Sequence, residues 1–372
     1  MRRREREASV PSSAGELAMK YLIKPVRSFL VVLFGFLILN YNAEGRPLYD
    51  FDGDGRTDFA VMRFNGPNTP HMWFVLRSRD GFLAQHWGYE SAAGAGFFDG
   101  AACGDYDGDG KWDMTVRRAG ADVPNMFWYV LNSHDGSMTA QHWGITGDMT
   151  VPQDYDGDGK TDFAVFRAGW WYILRSSDGQ FQAEKFGLGN DNPFQGGDYD
   201  GDGKDDLAVL RFANGLRLFI RYSGTGWWIQ YNLGNPQFTG VVTGDYDGDG
   251  RADVAIWQGN LWLWERSSDG QLGGGLRFGR AQMDTPVPAD YDGDGKTDIA
   301  VFRYLAEAPG QDYFYVQQSR DGFLAMPWGG GSDGPPFDRR YFQPTGFRPA
   351  GLAGEQFKDK GPFPRRVEIR KN

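Results

Sequence analysis

An all-β fold of six repeated units is what this 372-residue sequence predicts, and three observations predict it. One nine-residue phrase, Asp-aromatic-Asp-Gly-Asp-Gly-x-x-Asp, begins at Asp50, Asp105, Asp154, Asp198, Asp245 and Asp290, so the copies stand 55, 49, 44, 47 and 45 residues apart. A period of that size is one propeller blade or one solenoid unit. Between copies the chain reads as about four short extended segments, which is the content of a blade. Position 12 of every copy is β-branched (Val61, Val116, Val165, Val209, Ile256, Val301) and favours a strand after the phrase. The expectation is a β-propeller of six blades, each of about four antiparallel strands, with seven blades as the alternative.

The phrase has the ligand spacing of a calcium loop, in which positions 1, 3 and 5 offer carboxylate oxygens and position 7 its backbone carbonyl. Position 12 carries no bidentate Glu, so this is not a helix-flanked EF-hand. The candidate metal ligands, position 7 through its carbonyl, are Asp50, Asp52, Asp54, Arg56 and Asp58 in the first copy and Asp105, Asp107, Asp109, Lys111 and Asp113 in the second. Asp154, Asp156, Asp158, Lys160 and Asp162 follow in the third, and Asp198, Asp200, Asp202, Lys204 and Asp206 in the fourth. The last two copies supply Asp245, Asp247, Asp249, Arg251 and Asp253, then Asp290, Asp292, Asp294, Lys296 and Asp298. Four carboxylates so close repel one another, and without a cation the loop loosens or its acids are held partly protonated. Hard oxygen donors suit calcium better than magnesium, which keeps a strict octahedron of its own waters. About six calcium ions are expected.

The strand after each loop reads like Asp298-Ile-Ala-Val-Phe-Arg303, with a small residue at its centre: Ala60, Thr115, Ala164, Ala208, Ala255 and Ala300. A recurrent small residue marks a crowded place, and the expectation is that this strand lies nearest the propeller axis. The second strand, for example Trp171-Tyr-Ile-Leu-Arg175, is apolar on both faces, as a sheet packed between neighbouring blades must be. Most of the 13 Trp are therefore read as core. Five of the six second strands run into Ser-x-Asp-Gly, a strong hairpin signal; the fourth has Tyr222-Ser-Gly-Thr-Gly226 instead. The third strand ends in an apolar-Gly pair, from Trp87-Gly88 to Trp328-Gly329.

Outside the repeats, Lys20, Lys24 and Arg27 precede an apolar run from Phe29 to Leu39, too short for a bilayer span and suited to an export signal cut after Gly45. The expected organisation is a leader over 1–45, starting at Met1 or Met19, a propeller over 46–336, and a basic Gly/Pro-rich tail over 337–372. The tail is read either as partly disordered or as a closing strand, with Pro336–Phe342 beside the chain near Leu48. Such a chain would be secreted or held at the cell surface, without a transmembrane span once mature, and monomeric. Cys103 stands alone, so no disulfide forms within the chain. Of the net charge of −10, residues 46–336 carry −18, and that acidity is mostly metal ligand. It argues against a nucleic-acid partner.

On the loop phrase, the Asp-apolar-Ala-Val strand and the Phe/Trp-Gly pair, residues 47–335 resemble FG-GAP or VCBS-type repeats, the blades of integrin-α-like propellers. The resemblance implies a calcium-bearing propeller used for adhesion or carbohydrate binding; related blades occur in fungal lectins and some polysaccharide lyases. The leading expectation is a binding module for a glycan or surface protein, the alternative a polysaccharide lyase or hydrolase, and a plain spacer the third. No catalytic residue is assigned. His86 and His142 recur at equivalent places, as structural or surface residues do, and Glu90, Glu184 and Glu265 have no partner that sequence identifies. Trp112 inside the second loop, and Trp257, read as replacing the strand Arg of the fifth repeat, are breaks in the pattern that point weakly to a ligand site.

Overall fold

The computed structural model describes residues 47–336, apart from 67, 91–96, 121–122, 236–238, 282, 305–310 and 331–332, together with 366–369. The expected leader and most of the tail lie outside these residues. All the described residues belong to one compact unit, Gly35–Asn372. Among them no helix is long and apolar enough to cross a membrane.

Six antiparallel sheets form the ring, so the fold is the six-blade propeller rather than the seven-blade one. Blade two shows the plan. Its sheet order is Phe97–Ala101, Met114–Gly120, Val123–Leu131 and Met138–Ile145, with the Asp-rich loop between the first two strands. Blade three runs Met149–Thr150, Phe163–Arg167, Trp170–Leu174, Phe181–Lys185, and blades five and six repeat the order. In blade one the first strand is Asp333–Gly334, which pairs with Met62 and Arg63 and closes the ring from the far end of the chain. Closure therefore falls just before the Pro336–Phe342 segment in which sequence reading sought it. Blade four gains a fifth strand, Arg366–Ile369, antiparallel to Trp228–Gly234.

One expectation needs correction. The strand after the loop is second in each sheet, not at its inner edge. The inner edge is the short strand before the loop, buried at Ala101, Thr150, Phe194 and Val241, whereas the fourth strand of blades three and six alternates between exposed and half-buried residues. The recurrent small residues are buried as expected, from Ala60 to Ala300. They are crowded because strands flank them on both sides, with one neighbouring strand made of only two to five residues.

Most Trp residues are core, with a polar task, whereas Trp170 and Trp227 are exposed. The indole N–H groups of Trp73, Trp128, Trp171 and Trp262 donate to the carbonyls of Trp87, Trp143, Phe186 and Phe278 at 2.8, 2.9, 2.8 and 3.1 Å, binding second strand to apolar-Gly pair. Trp87, Trp143 and Trp328 reach the next blade instead, donating to the carbonyls of Tyr129, Tyr172 and Phe74. A buried indole N–H usually finds such a partner; Trp257, whose Nε1 is buried without one, is the exception among the described residues. The turn of blade four lacks the Asp but keeps the geometry: Gly226 has φ 69° and its N–H donates to Tyr222 O at 2.8 Å. Positive φ is what that turn position demands, and Gly alone meets it cheaply.

Five blades lock the first two strands by a two-pronged ion pair: Arg63–Asp333, Arg118–Asp99, Arg167–Asp148, Arg211–Asp191 and Arg303–Asp284. The register of blade five places Gln258 against Thr239 where blade six has Arg303 against Asp284. It is thus Gln258, not Trp257, that replaces the arginine. Trp257 aligns with Phe302 and is 4 % exposed, so it is core and not a ligand platform.

Candidate metal centre

Each loop is wound by its own carboxylates. In the first, Asp50 Oδ1 accepts the Gly53 N–H at 2.6 Å and Oδ2 the Gly55 N–H at 2.9 Å. Both glycines have positive φ, 73° and 83°, which turns their N–H groups inward. Asp58 at position 9 accepts the Phe51 N–H at 2.8 Å and, across the blade, the Ser78 N–H at 2.7 Å. Asp54 at position 5 accepts the Arg56 N–H at 3.0 Å and the Ser78 hydroxyl at 2.6 Å. The turn serine is the partner that sequence reasoning missed. Ser133, Ser176, Ser223, Ser267 and Ser319 donate in the same way to Asp109, Asp158, Asp202, Asp249 and Asp294. The Ser-x-Asp-Gly turn is therefore a lid on the loop as well as a hairpin.

The carboxylate oxygens that converge, within 4.8 Å of one another, come from positions 1, 3 and 9: Asp50, Asp52, Asp58; Asp105, Asp107, Asp113; Asp154, Asp156, Asp162; Asp198, Asp200, Asp206; and Asp245, Asp247, Asp253, with one further group. These clusters could hold metal ions. An independent observation supports that fit. At position 3, the Oδ1 atoms of Asp52, Asp156, Asp200 and Asp292 are buried without a hydrogen-bond partner. A buried carboxylate oxygen left unmatched is costly, and a hard cation is the partner its chemistry suits.

Burial, helped by the position-3 charge, drives the position-9 acids upward: Asp58, Asp162, Asp253 and Asp298 to about 7, Asp113 to about 6 and Asp206 to about 8. In the unfolded chain they titrate near 4. The folded metal-free protein therefore holds protons that the unfolded chain has released, and its stability declines as pH rises from about 4 through about 7. A cation needs the ionised form, so metal reverses the trend. Melting curves in EDTA are expected to show a higher Tm at pH 5 than at pH 8, and curves in calcium the opposite order.

The six loops are also joined to one another. The position-8 N–H groups of Thr57, Trp112, Thr161, Asp205, Ala252 and Thr297 donate to the position-1 carbonyls of Asp290, Asp50, Asp105, Asp154, Asp198 and Asp245 at 2.6–2.8 Å. That is a closed circle, each loop bonded to the one before. The position-7 cations pack along the same circle. A Cβ on Gly53 would stand 3.0 Å from Lys111 Cγ, one on Gly157 3.0 Å from Lys204 Cγ, and one on Gly293 2.8 Å from Arg56 Cγ. The absent Cβ at position 4 makes room for the next loop's Lys or Arg stem. Trp112 belongs to this joint: its ring lies 4.8 Å from Tyr49 and it is 8 % exposed, so it faces the neighbouring blade and not a ligand.

The acids and histidines considered for catalysis are not brought together. Glu184 pairs with Arg221 at 2.9 Å, Glu265 accepts from Tyr231, and His142 stacks on Phe127, each on its own part of the ring. Cys103 is buried, and burial pushes its thiol up to about 12, away from nucleophile chemistry.

Residues 50–116 and 198–256 match the family model of the FG-GAP-like repeat. No curated protein matches the chain. Among solved structures, the chain is similar to an Agrocybe aegerita lectin described as recognising non-reducing terminal N-acetylglucosamine, at 15% identity over 77% of each chain with a TM-score of 0.46. It is also similar to the exotype rhamnogalacturonan lyase YesX, at 14% identity over 75% of this chain and 65% of that one with a TM-score of 0.31. The chain thus carries FG-GAP-like repeats at residues 50–116 and 198–256, within a fold that is a six-blade β-propeller.

Proposed function

We propose that this protein is a calcium-loaded propeller that works outside the cell as a carbohydrate-binding module, taking sugar units on aromatic faces at its blade junctions. The observation that carries the reading is an exposed apolar rim. Phe82, Met138, Phe181, Trp227, Leu272 and Phe323 follow the hairpin turns of blades one to six, and their exposure runs from 48 % at Trp227 to 63 % at Phe323. Three of them complete aromatic triads across a junction. Phe82 lies 6.4 Å from Phe74 and 5.8 Å from Trp328 of blade six; Phe181 lies 6.2 Å from Tyr172 and 5.8 Å from Trp143 of blade two. Phe323 lies 6.4 Å from Tyr315 and 6.3 Å from Phe278 of blade five.

Two triads have a solvent-accessible polar neighbour, since Arg63 and Arg167 sit over Phe74 and Tyr172 at 4.6 and 5.1 Å, while Arg303, over Tyr315 at 4.4 Å, is mostly buried. A few polar groups beside an apolar face make a site that both holds and orients a ligand, and a sugar ring offers C–H faces to one and hydroxyls to the other. The patches are separate and recur around the rim. That favours a ligand of repeated small units, bound weakly at each site and strongly by avidity, over one continuous protein interface. Calcium fits the hard-oxygen loops, and extracellular modules bind it at Kd of about 0.1–1 mM, which suits a protein acting where calcium is plentiful.

The test is a glycan and polysaccharide array in calcium with an EDTA control. The native protein is expected to bind one glycan class. The triple variant Phe82→Ala, Phe181→Ala and Phe323→Ala should lose on the order of 100-fold in avidity, the lower end of what linked sites contribute. Undiminished binding by that variant moves the ligand away from the triads, and silence across the array sinks the carbohydrate reading.

A further inference from the structure

The residue that follows the turn serine differs from blade to blade, and it faces position 3 of the metal loop. In blades one and six it is arginine. The N–H groups of Arg79 and Asp80 donate to Asp52 Oδ2 at 2.9 and 2.8 Å, and the Arg79 guanidinium donates to the Asp52 carbonyl. Arg320 repeats the arrangement: the Arg320 and Asp321 N–H groups donate to Asp292 Oδ2 at 3.0 Å, and the guanidinium donates to the Asp292 carbonyl. It also lies 4.0 Å from Asp292 Oδ1. The Oδ1 atoms of Asp52 and Asp292 are both buried and without a hydrogen-bond partner, on residues 1 % and 0 % exposed. In blades three and five the residue is serine, and Ser177 and Ser268 donate their hydroxyls to Asp156 and Asp247 Oδ2 at 2.5 Å. Blade two has His134 and blade four Gly224. Every loop has the next loop's position-7 cation packed on its position 4, and in loop two the Lys160 ammonium donates to the Asp107 carbonyl at 3.0 Å. Only in loops one and six does the turn add a second cation over position 3, Arg79 and Arg320, each also paired with the following Asp80 or Asp321 at 2.9 Å.

We infer that the ring holds two classes of cation site, with Arg79 and Arg320 setting a weaker class in blades one and six. The inference rests on the calcium reading and adds to it which loops fill last. A unit positive charge a few ångströms from a divalent ion, in a water-like dielectric, lowers affinity on the order of tenfold. The side chains of Arg79 and Arg320 are 50% and 45% exposed, so solvent and salt hold the effect to that order and binding is weakened rather than lost. Blades six and one adjoin where the ring closes, through the Thr57 N–H to the Asp290 carbonyl at 2.7 Å. The two sites that empty first as calcium falls are thus the pair that flanks the seam.

Calorimetric titration of the metal-free full chain with calcium chloride tests this. The expected isotherm has a phase of four ions followed by a phase of two, weaker by about tenfold. The double variant Arg79→Ser and Arg320→Ser, which installs the residue native to blades three and five, should merge the phases into one of six. Ser177→Arg alone should move one ion from the tight phase to the weak one, and it tests the inference even where the double variant fails to fold. Six equivalent ions in the native protein, or two phases that neither substitution alters, overturn the inference and leave the calcium reading standing. Absence of any calcium uptake overturns the calcium reading itself, and this inference with it.

Discussion

Excess EDTA is expected to lower the melting temperature of this protein by about 15 °C relative to 1 mM calcium, an estimate that follows from linkage. At a Kd of about 0.1 mM, one site filled at about 1 mM calcium stabilises the folded state by roughly 1.4 kcal/mol, and one of about 1 mM by roughly 0.4 kcal/mol. On the proposed assignment, four tight and two weak sites would together contribute about 6 kcal/mol, comparable to the whole stability of many domains. A domain of this size moves by roughly 2–4 °C per kcal/mol. The circle of position-8 to position-1 hydrogen bonds makes the loss collective, because a loop that loosens also releases the carbonyl that anchors its neighbour. Differential scanning calorimetry with and without EDTA reads the shift, and a change under about 3 °C would contradict the linkage argument.

The second large effect concerns the strand lock of blade six. Asp284 is fully buried and Arg303 is 10% exposed, with Nε and Nη2 donating to the two carboxylate oxygens at 2.5 and 2.8 Å. Removing the cation leaves a buried carboxylate without its counter-charge, which costs about 3–5 kcal/mol. Arg303→Gln alone is therefore expected to destabilise by about 3 kcal/mol. Blade five shows the remedy, since Gln258 stands there against Thr239. Combining Arg303→Gln with Asp284→Thr copies that pair and should return the protein to within about 1 kcal/mol of native, since removing both partners removes the buried charge as well. Arg167, 41% exposed in the equivalent pair of blade three, should be the milder loss, because water screens what its removal leaves. Equilibrium urea unfolding of the native protein and these three variants measures this, and a double variant as unstable as Arg303→Gln would contradict it.

Much of the architecture was legible because it is written in period and spacing. The nine-residue phrase gave the number of blades, and the Asp-Gly turns gave the hairpins, even in blade four, where Gly226 preserves a turn that lost its Asp. What escaped was the partner of each residue. Small residues in the post-loop strand signal crowding, and crowding does not say which neighbour causes it, so they point to the axis although the strand lies second in its sheet. The true inner strands, such as Met149–Thr150 and Thr239–Val241, are too short to show a pattern. The strand lock did leave a signal, an Asp 19 or 20 residues before the strand Arg in four blades, which the ring closure hides in blade one. The links between loops left almost none, since a backbone N–H meeting a backbone carbonyl has no side-chain signature. Trp112 looked like a break in the repeat when considered alone; beside Tyr49 it is a large residue matched to a large one. The turn serine, the second partner of the position-5 acids, has a sequence signature that the hairpin alone suffices to explain.

The central claim is that six copies of one phrase are six cation sites in a single ring, and native mass spectrometry of the full chain in calcium tests it most directly. The account predicts a mass increase of six calcium ions, retained in the presence of excess magnesium and lost together with the folded charge-state distribution on chelation. A folded protein that carries no calcium, or that exchanges it freely for magnesium, would contradict it.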